Sequence, residues 1–323
     1  RTQGEIFQVA RALPPGLVDM IAAGHAHDGI AHRVNGIPVV EAYERGRGFS
    51  RVDLAIGPDG RVTHATIHQP RPLCDGVTWE DVRPWDPAAC APPAYEGRPV
   101  MYDARMEAAV RKDLRAAQRA REEPLGVTTE RAYLHSTRDE SPASHLVVDL
   151  LKASYPDADL AFYNATGTRA SLPPGPITYG ALYALLPFDS VVATARLRAG
   201  AIGEAIVRAV TRGPIPIISG VEVDVTCVAG APHAAILRNG RPVPDDTVLT
   251  MVTSEFIAAG GAGYFPDMER QFTLRLDTPM RQSIVAALRA IAKDPDPDAL
   301  TRVDRDSKRI RVPGNTYPVR CTP

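Results

Sequence analysis

The run IAAGHAHDG, residues 21–29, constrains this chain more than any other stretch. A short apolar lead (Val18, Met20, Ile21, Ala22, Ala23) ends at Gly24, and His25 and His27 follow with one small residue between them. Glycines at both ends mark a strand that breaks into a turn. Residues two apart at a strand end point to the same side, so both imidazoles can face one point. Imidazole suits zinc, manganese, iron and nickel, and a glycine-flanked turn lets ligands crowd around an ion. By spacing alone, two histidines this close are more often solvated loop residues.

At 323 residues the chain is long enough for two domains. Residues 5–13 carry apolar positions at helical spacing and stop before Pro14-Pro15. Ile37 and Val39, then Val52, Leu54 and Ile56, alternate as strands do, and Pro58-Asp59-Gly60 reads as a hairpin turn. Residues 68–100 are a Pro-rich loop. From Tyr102 to Glu123 the composition is almost all strong helix formers, ending at Pro124. This is expected to be a helix bridging the two domains, its charges a solvated face. Beyond it, helices are expected at Ser144–Ala153, Gly200–Arg212 and Met280–Ala292. Strands are expected at Leu160–Tyr163, Val191–Leu197, Val221–Thr226, Val248–Thr253 and Phe272–Leu276. The layout is α+β, with domains at 1–100 and 125–323 joined by the helix at 101–124.

Charge is balanced, 37 basic against 38 acidic residues, so neither a nucleic-acid polymer nor an anionic membrane is expected as a partner. No apolar run reaches the roughly 18 residues that a membrane span requires. None of the four cysteines has metal-type spacing. Cys74 and Cys90 bracket a loop of no regular period that a disulfide would fix. Cys227 and Cys321 would then tie the last residues to the second domain. Four reduced, buried thiols are the alternative. An even count in such loops favours an oxidising compartment. The sequence opens at Arg1 rather than at a Met, as a processed or trimmed product would.

The segment GHAHDGIAHRVNGIPVVEAYERGRGFSRVDLAI resembles the closing segment of the calcineurin-like metallophosphoesterase domain of 5′-nucleotidases. There a GH-x-H turn precedes a short hairpin and a strand. Two later runs, PPGPITYGALYALLPFDS (173–190) and SEFIAAGGAGYF (254–265), resemble signatures of the 5′-nucleotidase C-terminal domain. The resemblance implies that the first domain is the C-terminal portion of a β-sandwich-type metallophosphoesterase domain. It implies two divalent metal ions, zinc, manganese or similar, with His25 on one and His27 on the other. Two such ions clamp a phosphate and supply hydroxide at neutral pH. The family's other ligands lie upstream of its GH-x-H turn, and no D-x-H or GNH motif precedes His25 here. An incomplete metal site is therefore expected, to be completed by an N-terminal segment acting as a partner, or else the polypeptide is catalytically dead. His32, further along the hairpin, reads as a surface residue rather than a ligand.

In the second domain, the resemblance makes Phe188 and Phe256 the two aromatics that sandwich a nucleobase; by composition alone both would pass for core. Flat rings gain stacking and burial with little base selectivity. Asn164 and Arg169 fall where the family has N-G-G-G-[IV]-R. Arg169 can grip a phosphate bidentately, Asn164 can bond phosphate or ribose, and Arg138 sits near the family's other phosphate-binding arginines. Gly260 and Gly261 allow close backbone approach to a sugar. Three departures stand out: Ala262 where the family has Asp, Ala165-Thr166 where it has two glycines, and Ser144-His145 where it has Gly-Asn. Loss of the carboxylate would weaken ribose binding by about 1–3 kcal/mol. The resulting expectation is a periplasmic or secreted, metal-dependent phosphoesterase, acting on 5′-nucleotides to give nucleoside and phosphate. The rival expectations are a nucleotide- or phosphate-binding module without catalysis, and a sibling hydrolase with a non-nucleotide substrate such as a thiosulfohydrolase.

Overall fold

Helix α1 (Glu5–Ala12) turns Phe7 and Ala10, three residues apart, onto one face, as a helix of this period must. They pack with Ile30 and Val34 of β2 (Gly29–Val34) and Val39 of β3 (Ile37–Ala42). The computed structural model describes residues 4–44, 46–73, 94–101, 103–294, 300 and 305–321. The expected Cys74–Cys90 bridge and most of the Pro-rich loop lie outside the described residues. Strand β1 (Ile21–Ala22) runs parallel to β3, and β2 runs antiparallel to it through the tight Asn35-Gly36 turn, where both residues have positive φ. His32 is half-buried, its ring edge-on to Phe7 at 5.8 Å.

Strand β4 (Gly48–Phe49) precedes β5 (Val52–Ile56) and β6 (Val62–Ile67), an antiparallel hairpin closed by Gly57 and Arg61 around Pro58-Asp59-Gly60. The short strands β7 (Arg71–Pro72), β8 (Ala94–Tyr95) and β9 (Arg98–Pro99) complete pairs, β7 with β4 and β8 with β9. Helix α2 (Ala104–Glu122) starts where the Asp103 carboxylate accepts the N–H groups of Arg105 and Met106, at 2.8 and 3.2 Å. Those bonds, with Arg105's side chain, hold the Asp103 carboxyl below the usual range. No residue of α2 is buried, in keeping with its charge-rich sequence, and Pro124 ends it. The chain forms two compact units, Arg1–Val110 and Arg111–Pro323, divided within α2.

The second unit opens with β10 (Pro124–Thr129). Helix α3 (Pro142–Ser154) begins two residues before the expected start. Ser141 caps it, exchanging backbone-to-hydroxyl bonds with Ser144, and Pro142 occupies the first turn. Next come β11 (Leu160–Asn164), β12 (Gly175–Thr178), which pairs with β10, and α4 (Tyr179–Leu185). Strand β13 (Val191–Arg198) leads into α5 (Ala199–Arg212), followed by β14 (Pro216–Ser219). A hairpin of β15 (Glu222–Val228) and β16 (Ala231–Arg238) runs into β17 (Arg241–Pro242) and then β18 (Val248–Ser254). Helix α6 (Glu255–Ala258), β19 (Phe272–Pro279), α7 (Met280–Ile291) and β20 (Ile310–Arg311) follow.

Five strands form one mixed sheet in the order β14-β11-β18-β13-β19, with β11 and β18 parallel. Alternation along β11 splits its side chains between two cores. Ala161 and Tyr163 join Leu146, Leu150, Leu182, Ile284 and Leu288 from α3, α4 and α7. Leu160 and Phe162 join Ile202 and Ile206 of α5 and Val223, Val225 and Ile236 of the four-stranded sheet β17-β16-β15-β20. The Cys227–Cys321 disulfide, with Cα atoms 5.6 Å apart, ties the last described residues to β15, as the sequence suggests. The mixed α+β architecture matches the expectation from sequence, while β10, β12, β14 and β16 are additions to it.

Candidate functional site

The candidate residues fall into two groups, one in each unit. In the first, His25 and His27 both adopt left-handed backbone, with φ of 75° and 61°. That conformation costs a side-chain-bearing residue about 1–2 kcal/mol, so the surroundings must impose it. Glu41, 3% exposed, does so from β3: its Oε1 accepts the backbone N–H of His27 at 2.8 Å and that of Asp28 at 3.4 Å. A side chain at position 29 would collide with Tyr43, whose phenol lies 2.3 Å from where Cβ would sit. Any side chain there would have to displace the Tyr43 ring. His27 Nδ1 meets Glu44 Oε2 at 2.7 Å, leaving Nε2 free, the orientation a carboxylate imposes on a metal-ligating histidine. Both imidazoles are exposed. Their chemistry suits a borderline divalent ion, but among the described residues no group of three or more His, Cys, Asp or Glu side chains is gathered to hold a metal.

In the second unit, Phe188 and Phe256 are not core residues: they are 37% and 50% exposed. Phe188 follows α4, and Phe256 lies in the first turn of α6, just past β18. No ring contact joins them among the described residues. The bend after α6 uses left-handed backbone at Gly260 (φ 83°), Ala262 (φ 61°) and Gly263 (φ 65°). Gly261 lies under Phe256, where a Cβ would come within 2.3 Å of the Phe256 carbonyl oxygen and 2.7 Å of its ring. The ring thus rests on bare backbone. The Arg169 guanidinium lies 5.2 Å from the centroid of the Phe188 ring, within cation–π range.

Behind these groups the carboxyl ends of the parallel strands β11 and β18 carry polar side chains. Asn164, 4% exposed, donates from Nδ2 to Thr166 Oγ1 at 2.7 Å, while its Oδ1 has no partner. Thr253 and Ser254 are fully buried, and their hydroxyls also lack partners. Buried polar atoms are normally satisfied, so three exceptions at adjacent strand ends mark a place where polar groups of a ligand or water belong. Thr168 is buried: its hydroxyl donates to Ala165 O at 2.9 Å and faces His135 Nδ1 at 3.1 Å. Burial, then the charge of Arg169, hold the His135 imidazole below its ordinary pKa. Burial pushes the Tyr163 phenol up, and Tyr163 leaves no room for a side chain at Gly167.

Arg169 and Phe188 are therefore brought together, as are Gly261 and Phe256. Arg138 lines a cavity of about 310 Å³ with Arg212, Gly213 and Tyr317. Sequence reasoning missed His135, Thr168, Thr253 and Ser254. Thr253-Ser254 directly precedes the Glu255-Phe256 motif and was within reach; His135 meets Thr168 only through the fold.

The fold has relatives among solved structures. It is similar to the 5′-nucleotidase precursor of Thermus thermophilus with a TM-score of 0.61 at 19% identity, covering 95% of this chain and 61% of that one. The sulfate thiohydrolase SoxB of the same species matches at a TM-score of 0.55 and 18% identity, over 98% of this chain and 54% of that one. By sequence the chain is 26% identical over 254 residues to the endonuclease YhcR of Bacillus subtilis (strain 168), which takes in 77% of this chain and 19% of that protein. The chain spans about three-fifths of the length of the Thermus nucleotidase and about one-fifth of YhcR. Residues 117–270 match the family model for the 5′-nucleotidase C-terminal domain. Phe188, Phe256, Asn164, Arg169, Gly260 and Gly261 all fall inside the matched segment.

Proposed function

We propose that the second unit binds 5′-nucleotides, with Phe188 and Phe256 offering stacking faces for the base and Arg169 a cation for the phosphate. The observation that carries this is the exposure of two large aromatic rings, each built into a specific support, within the matched domain. Asn164, with an unpartnered buried oxygen at the strand ends, is suited to a ribose hydroxyl. Ala262 offers no carboxylate to the sugar, so the base and phosphate supply most of the affinity.

The same reading makes the whole protein a metal-dependent phosphoesterase that releases phosphate from such nucleotides. His25 and His27 would supply two imidazoles to a centre of divalent ions, zinc, manganese or similar, with the remaining ligands from outside the described residues. Glu41 and Glu44 hold the turn and one imidazole ready for that role. A disulfide-bearing fold with no helix among the described residues long and apolar enough to cross a membrane suits an exported, periplasmic or secreted protein.

Phosphate release from AMP by the full-length protein, with and without chelator, tests this reading. His25→Ala should abolish metal-dependent release, and Phe256→Ala should raise KM. Unchanged release in His25→Ala would refute the metal role. Two donors rather than three or more favour a second reading, a nucleotide-binding module without catalysis, which predicts AMP binding and no turnover in full-length protein.

A further inference from the structure

The loop that carries Phe188 is held by an arginine that no sequence motif marks out. Arg281, the second residue of α7, is 6% exposed, and its guanidinium reaches across the turn that follows α4. Nη1 donates to the carbonyl oxygens of Leu186 at 3.0 Å and of Phe188 at 3.2 Å. Nη2 donates to the Asp189 carboxylate, and Nε donates to the Tyr179 hydroxyl at 3.3 Å. The cation also stacks on Tyr183, 4.6 Å from its ring centroid.

Among the described residues, the other backbone hydrogen bonds of the loop lie at its ends. The Leu186 N–H donates to Leu182 O at 2.8 Å, and the Met280 N–H donates to Ser190 O at 2.9 Å. Between those points Pro187 has no N–H to give, so the carbonyls of Leu186 and Phe188 find their side-chain donor in Arg281. A cation here also suits the C-terminal end of α4, where carbonyls lack helical partners. A guanidinium presents its donors in one rigid plane, so a single group fixes two carbonyls and a carboxylate at set spacings; an ammonium holds one point at a time.

We propose that Arg281 is a positioning residue for Phe188: by clamping the backbone on both sides of Pro187 it sets the height and plane of the ring, and so the affinity for the base stacked on it. This rests on Phe188 being a stacking face for a nucleobase. Arg281 touches no ligand itself. If it merely knitted α4 to α7, its substitution would act on affinity independently of Phe188.

A double-mutant cycle in the full chain separates the two, with the dissociation constant of AMP read by calorimetry. Phe188→Ala should weaken AMP binding by roughly tenfold, the loss expected for one stacked base. Arg281→Lys should weaken it about three- to tenfold in the wild-type background. It should have no further effect in the Phe188→Ala background, and inorganic phosphate should bind Arg281→Lys and wild type alike. Asp189→Asn changes an exposed side chain (77%) on the same clamp, and carries the same cycle should Arg281→Lys fail to fold. Wild-type AMP affinity in both clamp variants, or an equal loss with and without the Phe188 ring, would overturn the proposal. A silent Phe188→Ala would instead remove the stacking reading on which the proposal stands.

Discussion

Gly261→Ala adds one methyl at the point where the Phe256 ring meets the backbone. The new Cβ would lie 2.3 Å from the Phe256 carbonyl oxygen and 2.7 Å from two ring carbons. Both are well inside any van der Waals contact, and the oxygen belongs to the backbone of α6, so it cannot swing away as a side-chain tip would. The ring can move, and it is half exposed, so the cheapest relief is to tilt Phe256 off its seat. Overpacking of this kind costs about 1–3 kcal/mol. A displaced stacking face forfeits part of the roughly 1–3 kcal/mol that one base–aromatic contact provides, so AMP affinity should fall by about tenfold. Gly260→Ala is the control. Its Cβ would come no closer than 3.2 Å, to the movable Glu269 carboxylate, and its cost is the left-handed φ of 83°, about 1–2 kcal/mol of stability. Thermal unfolding and AMP titration of both variants should show both destabilised, with affinity lost chiefly in Gly261→Ala. Wild-type AMP affinity in a folded Gly261→Ala would refute the reasoning that Phe256 binds the base from this seat.

Two further outcomes follow from the geometry. His135 is held below its ordinary pKa by burial and by Arg169, so the unfolded chain binds a proton there more readily than the folded one; stability is intact above about pH 6.5, the unfolded value, and is lost as pH falls below it. Urea unfolding between pH 7 and 5 should show wild type losing more stability than His135→Gln, and parallel pH profiles would contradict this. The Cys227–Cys321 bridge closes a separation of 94 residues, so a Cys227→Ser, Cys321→Ser variant should unfold about 2–4 kcal/mol more easily, read by denaturant titration; an unchanged midpoint would argue against the bridge.

What the sequence made legible follows the range of the interactions involved. The α2 run up to Pro124 and the β5–β6 hairpin are local patterns, and each appears where it was expected. Strand β14, Pro-Ile-Ile-Ser, is too short and begins with a residue that breaks periodicity; it exists because β11 supplies its partner. Strand β16 opens Ala-Pro-His-Ala-Ala, poor β formers that are held by the β15 hairpin. The start of α3 was missed because Ser141 and Ser144 form the cap in place of the usual acidic partner. In the site, Phe188, Phe256 and the glycines could be read from motifs, but whether the rings were core or exposed could not, since exposure depends on what the fold lays against them. Arg281 was invisible for the same reason: its partners lie 92 to 102 positions away.

The most direct test of nucleotide binding is calorimetric titration of the chain with AMP, repeated for the Phe188→Ala, Phe256→Ala double variant. AMP should bind the wild type and lose about a hundredfold or more in affinity when both rings are removed, since each stacked contact is worth on the order of tenfold. Equal AMP affinity in the wild type and the double variant, or no AMP binding by the wild type, would contradict it.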